Sequence, residues 1–482
     1  MHNSKLIQLI ASFNDKELKD LDKYLLYQVA LVSNVYRLFE ILKNAYPEFD
    51  QDSINKKTVF KTLFGNEPFK DVKVREQMSA LRKLIEGFLI YLEQSKNDYY
   101  NNLALLKQYR KRNLGNLFQQ QVKNLQVLID SDNYLNIEYY KREYLLADEK
   151  NNFFEQQQNI AHDNAISVRN ENFDKFYFSS KLRTLCEITN REKILNVSFD
   201  KRIEKEVVSI IESNKKVYLD VPAIHCYYEI FLLLKTENDT KQFNLALNTL
   251  NRYQKSFTDS ELKSKYAYLS NYCIQHVNKG HADFTPILFE MQKLLLQNKI
   301  LLEDGALSHI SYRNIVSIAI KLKEYIWAEK FIEDYKNTIT GRHQENAYSL
   351  SKSNLLYAKE EFSETIYLLN QVEFTDVYYA CTAKFTLLKA YFAAKEFDTL
   401  DYFVSSFQLY LKRNKDISFN FKKSSENFLK HFKKLLLIQK QLDFKEKEKL
   451  EKKTRDLVLK INEEKTMANK SWLLEEITKI KL

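Results

Sequence analysis

Glycine and proline are scarce in this chain, with 6 Gly and 4 Pro in 482 residues. Both residues supply tight turns and break helices. A sheet-based fold needs such turns every few residues, so their scarcity argues against one and in favour of long helices. Cysteine is equally sparse: Cys186, Cys226, Cys273 and Cys381 lie far apart, with no CxxC pair and no disulfide-framework spacing. Six dispersed glycines leave no glycine-rich phosphate loop. No stretch approaches the ~18 consecutive apolar residues of a membrane span; the longest runs, such as Ile230 to Leu234, are short. The segment MHNSKLIQLIASFNDKEL scatters polar groups among its apolar residues and lacks the unbroken core of an export signal. A reducing cytoplasm is the expected compartment.

Apolar residues are plentiful, at 44%, which suffices for a packed interior. The 31 Tyr and 32 Phe raise the idea of platforms for stacking nucleic-acid bases. Packing is the simpler reading. Lys, Asn, Ile, Phe and Tyr all have A/T-rich codons, so a biased genome enriches them without a functional cause. The same bias lowers Gly and Pro, so the helical expectation has to rest on periodicity as well.

Positive charge is concentrated at one end. From Lys412 to Leu482 there are 20 Lys and Arg against 11 Asp and Glu. Subtracting these from chain totals of 74 and 64 leaves 54 basic and 53 acidic groups elsewhere. The body is balanced and the tail is basic. Such a tail can attract nucleic acid or an acidic partner. Alternatively it is a solvated helix, since KEKEKLEKKTRD (Lys445 to Asp456) alternates in sign and holds i,i+3 and i,i+4 charge pairs.

Helical spacing starts early. Leu18, Leu21, Leu25, Val29 and Val32 fall at steps of three and four, and Val35, Leu38, Phe39 and Leu42 extend the pattern to Pro47. A second helix is expected from a Ser53 cap to Phe64, stopped by Gly65. A third begins near Asp71 and aligns Val74, Met78, Leu81, Ile85, Phe88 and Leu92. Residues 53–92 admit a helix-turn-helix reading with Lys73, Arg75, Arg82 and Lys83 toward DNA. The connection from Gly65 to Lys70 is long for that motif, however, and core packing is the preferred reading. From 96 to 216 the pattern is helix, short polar break, helix, as in Leu103–Lys111, then Leu117–Ile129, then Tyr134–Phe154. Brief breaks favour antiparallel neighbours, but no clean boundary stands out here.

The second half has a recurrence. An aromatic followed three residues later by a small or apolar residue opens a helix at Phe243/Ala246, Phe284/Ile287, Tyr325/Ala328, Phe362/Thr365 and Phe397/Leu400. Successive aromatics are separated by 41, 41, 37 and 35 positions, by subtraction. A period in this range is the mark of helix-pair solenoids.

Residues 217–412 resemble tetratricopeptide repeats. In KEYIWAEKFIEDY, Tyr325 and Ala328 stand where that family places its aromatic and its small residue, and Tyr312 and Ile315 match its upstream aromatic and leucine. The stretch from Tyr357 to Leu369 and the set Tyr391, Phe397 and Leu400 follow the same pattern. Val316, Leu388, Thr365 and Leu400 replace small residues, and the closing proline is absent. The resemblance implies a groove that binds a peptide or protein, and no reaction.

After Lys412, residues Phe428, Phe432, Leu435, Leu436 and Leu442 describe an amphipathic helix suited to cap the last repeat. Heptad positions fail between Phe444 and Leu457, which argues against a sustained coiled coil. The cluster Trp472, Leu473, Leu474, Ile477 and Ile480 leaves two uses open: docking back on the body or engaging a partner helix.

Chemistry finds little purchase. The best metal candidate is CIQHVNKGHAD, in which Cys273 and His276 share a helix face and Gly280 could turn His281 and Asp283 back toward them. The segment also coincides with an ordinary junction between repeat helices. His225 and Cys226 are adjacent and diverge by about 100° on a helix, as do His162 and Asp163. No catalytic, cofactor-binding or metal residue is therefore nominated.

The resulting expectation is an all-α chain: an N-terminal helical bundle (1–95), helical hairpins (96–216), a tetratricopeptide-like α-α superhelix (217–412) and a basic helical tail (413–482). Its expected role is a non-catalytic protein-interaction scaffold without cofactor. Nucleic-acid binding through residues 412–482 is the first alternative. An enzyme with an unrecognised site is the second.

Overall fold

The computed structural model describes residues 1, 4–50, 54–157, 164–195, 197–237, 239–278, 281–303, 305–339, 343–442 and 447–480. Ser53, His162, Asp163, Gly280, Phe444 and Lys445 lie outside the described residues. The fold is all-α. Among the described residues the only strands are the two-residue pair Leu302–Glu303 and Ala306–Leu307. No helix among them is long and apolar enough to cross a membrane.

The chain divides into two compact units, Met1–Phe178 and Ser179–Leu482. The division falls within the helix Ala165–Leu195, inside the 96–216 segment.

Among the described residues the first unit shows two cores. One joins five helices between Lys5 and Ser95, with Leu21, Leu38, Phe39, Leu42, Leu81, Ile85 and Phe88 at 0% exposure. Burying each of these side chains contributes about 1.5–3 kcal/mol. The other joins Asp98–Lys111, Gly115–Ser131 and Ile137–Gln156. There Phe118 and Phe153 stack with centroids 4.0 Å apart.

The continuous helix expected from Leu18 to Pro47 is interrupted. Asp15–Gln28 ends at Val29, whose backbone is extended, and Asn34–Asn44 starts anew. Ser33 caps the new helix by accepting a hydrogen bond from the Tyr36 amide. Leu31 and Val32 are exposed as a result. Periodicity ran on across a break that a single serine directs. The next helix is Lys56–Phe64, capped by Asn55 and stopped by Gly65 at φ +67°. The third, Asp71–Ser95, begins where its spacing places it.

The second unit is a run of antiparallel helix pairs: Pro222–Lys235 with Thr240–Arg252, Asp259–Asn278 with Phe284–Gln297, and His309–Lys321 with Tyr325–Tyr335. Gln344–Ala358 with Phe362–Gln371 and Val377–Ala393 with Phe397–Arg413 follow. Helices begin at Phe284, Tyr325, Phe362 and Phe397 themselves, while Phe243 lies one turn inside its helix. Ala246, Ala328, Thr365 and Leu400 are buried where the paired helices meet. Ile287 is only half-buried, and Leu288 takes the buried place in that copy.

The turns explain how so few glycines suffice. Three successive pairs turn on a residue with φ near +60°: Lys323, Glu360 and Lys395. In each, the following amide reaches back five residues: Glu324 to the Ala319 carbonyl (2.9 Å), Glu361 to Leu356 (2.9 Å) and Glu396 to Tyr391 (3.0 Å). Asn113 makes the same turn in the first unit, with the Leu114 amide on the Tyr109 carbonyl at 3.0 Å. This is the left-handed helix stop that glycine usually occupies, performed here by lysine, glutamate and asparagine.

Candidate interaction surface

The first helices of neighbouring pairs pack on one another, His309–Lys321 on Gln344–Ala358 and the latter on Val377–Ala393. No comparable packing joins their second helices among the described residues. The first helices therefore form one continuous face.

At the amino-terminal ends of these three helices a polar cluster assembles. His309 Nδ1 lies 2.8 Å from the Tyr379 hydroxyl. The His309 and His343 rings stack at 4.5 Å, and the Arg313 guanidinium sits 4.6 Å from the Tyr379 ring centroid. Burial, then the neighbouring His343 and Arg313, lower the His309 pKa, so its imidazole is neutral near pH 7. Such a surface can stack on a planar group and offer a guanidinium to an acidic one. Sequence reasoning did not single out these four residues. His309, His343 and Tyr379 are 34 and 36 positions apart by subtraction, close to the repeat period, and each lies near the start of a first helix without occupying the same place in its repeat.

Nearby, Glu333 accepts hydrogen bonds from Tyr348 (3.0 Å), Lys352 (3.2 Å) and Lys336 (2.9 Å). Lys336 foremost, then Tyr348 and Lys352, outweigh partial burial and hold its carboxyl down at about 2.

The terminal cluster docks back within its own unit. The Trp472 indole N–H donates to the Tyr357 hydroxyl at 3.0 Å. Its ring lies 5.9 to 6.2 Å from those of Phe392, Phe428 and Phe432. Tyr357 and Phe392 belong to the first helices of successive pairs, and Phe428 and Phe432 to Phe419–Lys440. Leu473 and Ile477 are buried. The amphipathic helix expected after Lys412 is Phe419–Lys440, packed on Phe397–Arg413.

Much of the tail's charge stays at the surface. Between Phe419–Lys440 and Lys447–Glu463 runs an open groove of about 270 Å³, lined by Ile438, Leu457 and the exposed Leu437 together with Lys434, Lys453, Lys460 and Asp456.

The remaining sequence candidates resolve as follows. Cys273 is fully buried, and burial pushes its thiol up to about 12. His276 is boxed by Tyr272, Phe284 and His281, at centroid distances of 4.3, 5.0 and 5.4 Å. Among the described residues no three His, Cys, Asp or Glu side chains gather as a metal would require. His225 turns toward Glu229 (3.7 Å), while Cys226 is buried near the Thr249 carbonyl. In the helix-turn-helix candidate, Lys73 pairs with Glu67, Arg75 with Asp71 and Arg82 with Glu86; Lys83 is exposed. Three of its four cations thus face carboxylates.

Compared with protein-family models, curated proteins and solved structures, the chain gives no match.

Proposed function

We propose that this chain is a non-catalytic cytoplasmic scaffold that holds a peptide or protein segment along the face of the first helices of tetratricopeptide-like pairs. The observation that carries this reading is the turn repeated at Lys323, Glu360 and Lys395, with the same backbone bond each time. It gives three pairs equivalent geometry and brings their first helices side by side, an arrangement suited to a helical-repeat groove. The aromatic and cationic cluster at His309, Arg313, His343 and Tyr379 suits recognition of a side chain. A photo-crosslinking residue at position 313 should capture a protein partner in native extract. The same residue at position 326, exposed on a second helix, should not. Capture from 326 alone, or turnover of a metabolite with no capture from either, would overturn the scaffold.

The lysine-lined groove favours a second reading, binding of nucleic-acid phosphates by residues 412–482. Such affinity must fall steeply with salt and drop when Lys434, Lys453 and Lys460 are replaced by Ala. Binding that survives both changes sets this reading aside.

A further inference from the structure

The helix Lys470–Thr478 occupies its site imperfectly. It has nine residues, shorter than the ~12–15 that make an isolated helix even marginally stable. Its cap residue, Asn469, sits at φ +49° and makes no side-chain cap bond, so the helix start lacks the stabilisation that a capping side chain supplies. The Asn469 side chain is drawn instead to Lys389, whose Nζ donates to its Oδ1 at 2.6 Å. The Lys389 ammonium also lies 5.4 Å from the Trp472 ring centroid. Burial lowers its pKa to about 8, against the pull of Glu475. The Lys389 hydrogen bond to the docked helix thus ends on a neutral amide, while that helix's own carboxylate, Glu475, acts on the ammonium through its charge alone. A carboxylate there is the better complement.

We infer that the site formed by Tyr357, Lys389, Phe392, Phe428 and Phe432 accepts an amphipathic helix of a partner protein that displaces Lys470–Thr478. The partner helix carries an indole or phenyl anchor, aliphatic side chains in the places of Leu473 and Ile477, and a carboxylate at its amino-terminal end. The inference rests on the scaffold reading and narrows it to one occupant. The chain's own terminal helix is the low-affinity version of that ligand and sets the threshold a partner must exceed.

The test uses the full chain and a labelled peptide of residues 465–480 carrying Asn469→Asp. The peptide should bind the Trp472→Ala chain about tenfold or more tighter than wild type, because the competing helix has lost its anchor. Its advantage over the unmodified peptide should vanish in a Lys389→Met chain. Equal binding to wild type and Trp472→Ala, or none to either, overturns the inference. So does a concentration-dependent dimer of the wild-type chain that the peptide dissociates, since the occupant is then a second copy. Should Trp472→Ala fail to fold, hydrogen exchange on wild type decides: excess peptide must speed exchange of amides 470–480, and unchanged rates overturn the proposal. Crosslinking from position 313 is independent of all these outcomes, so the scaffold can stand where this site fails.

Discussion

The Lys265 ammonium lies 3.9 Å from the centroid of the Phe257 ring, in a side chain with no exposed surface. The Tyr227 ring is 4.3 Å away and its hydroxyl accepts from Nζ at 3.1 Å. Burial pushes the Lys265 pKa down to about 8, against the pull of Glu261. The unfolded chain holds that proton up to about 10.4. Between these values the unfolded state binds more protons, so stability rises with pH and the penalty is complete below about 8. Lys265→Met should stabilise the protein at pH 7 by about 1–3 kcal/mol and flatten its profile from pH 8 to 10. Lys389 titrates with the same sign, so the difference between wild type and variant in urea unfolding isolates Lys265. A variant less stable at pH 7 would show that the cation contributes more than its burial costs.

Glu360 is exposed at φ +65° in the turn between Gln344–Ala358 and Phe362–Gln371. A residue with a Cβ is strained there and glycine is not. Glu360→Gly should therefore stabilise the protein by about 0.5–1 kcal/mol, although glycine also loosens the unfolded chain. A lower thermal midpoint would mean that the carboxylate has a favourable role the backbone argument omits.

These turns mark where the sequence was legible and where it was not. Helix starts at Tyr325, Phe362 and Phe397 could be read because the aromatic and the residue three on are fixed by packing. The left-handed residues before them could not, since Lys and Glu carry no turn signature and only glycine announces such a position. The break at Val29–Ser33 was hidden for the opposite reason: apolar periodicity continued through Val29 and Val32 while one hydroxyl redirected the chain. The polar cluster was missed because His309, Arg313, His343 and Tyr379 meet from the starts of three helices, and no local motif relates them. The place of Trp472 was left open because an oily helix face does not name its neighbour.

His309 titrates beside Arg313, His343 and the Tyr379 hydroxyl. Its folded pKa lies below the ordinary ~6.5 of histidine, chiefly through burial and then through the charges of His343 and Arg313. The unfolded state takes up the proton first as pH falls, so this group's contribution is present above about 6.5 and is lost below it. NMR titration of the imidazole should place its midpoint under that value, and Arg313→Gln should move it upward. A midpoint unmoved by that change would remove the guanidinium from the cluster.

Ala328 has no exposed surface in the helix Tyr325–Tyr335, which packs on His309–Lys321 and is tied to it by the bond from the Tyr312 hydroxyl to the Ile332 carbonyl (2.9 Å). A methyl side chain permits this approach, and extra methylenes must either part the helices or force strained rotamers. Ala328→Leu should cost about 1–3 kcal/mol, whereas Ile326→Leu, at a position 88% exposed, should change little. Denaturant midpoints for the pair decide it. Equal tolerance at both positions would mean that the helices are not locked at Ala328, and the proposal that this pair is tetratricopeptide-like would lose its physical basis.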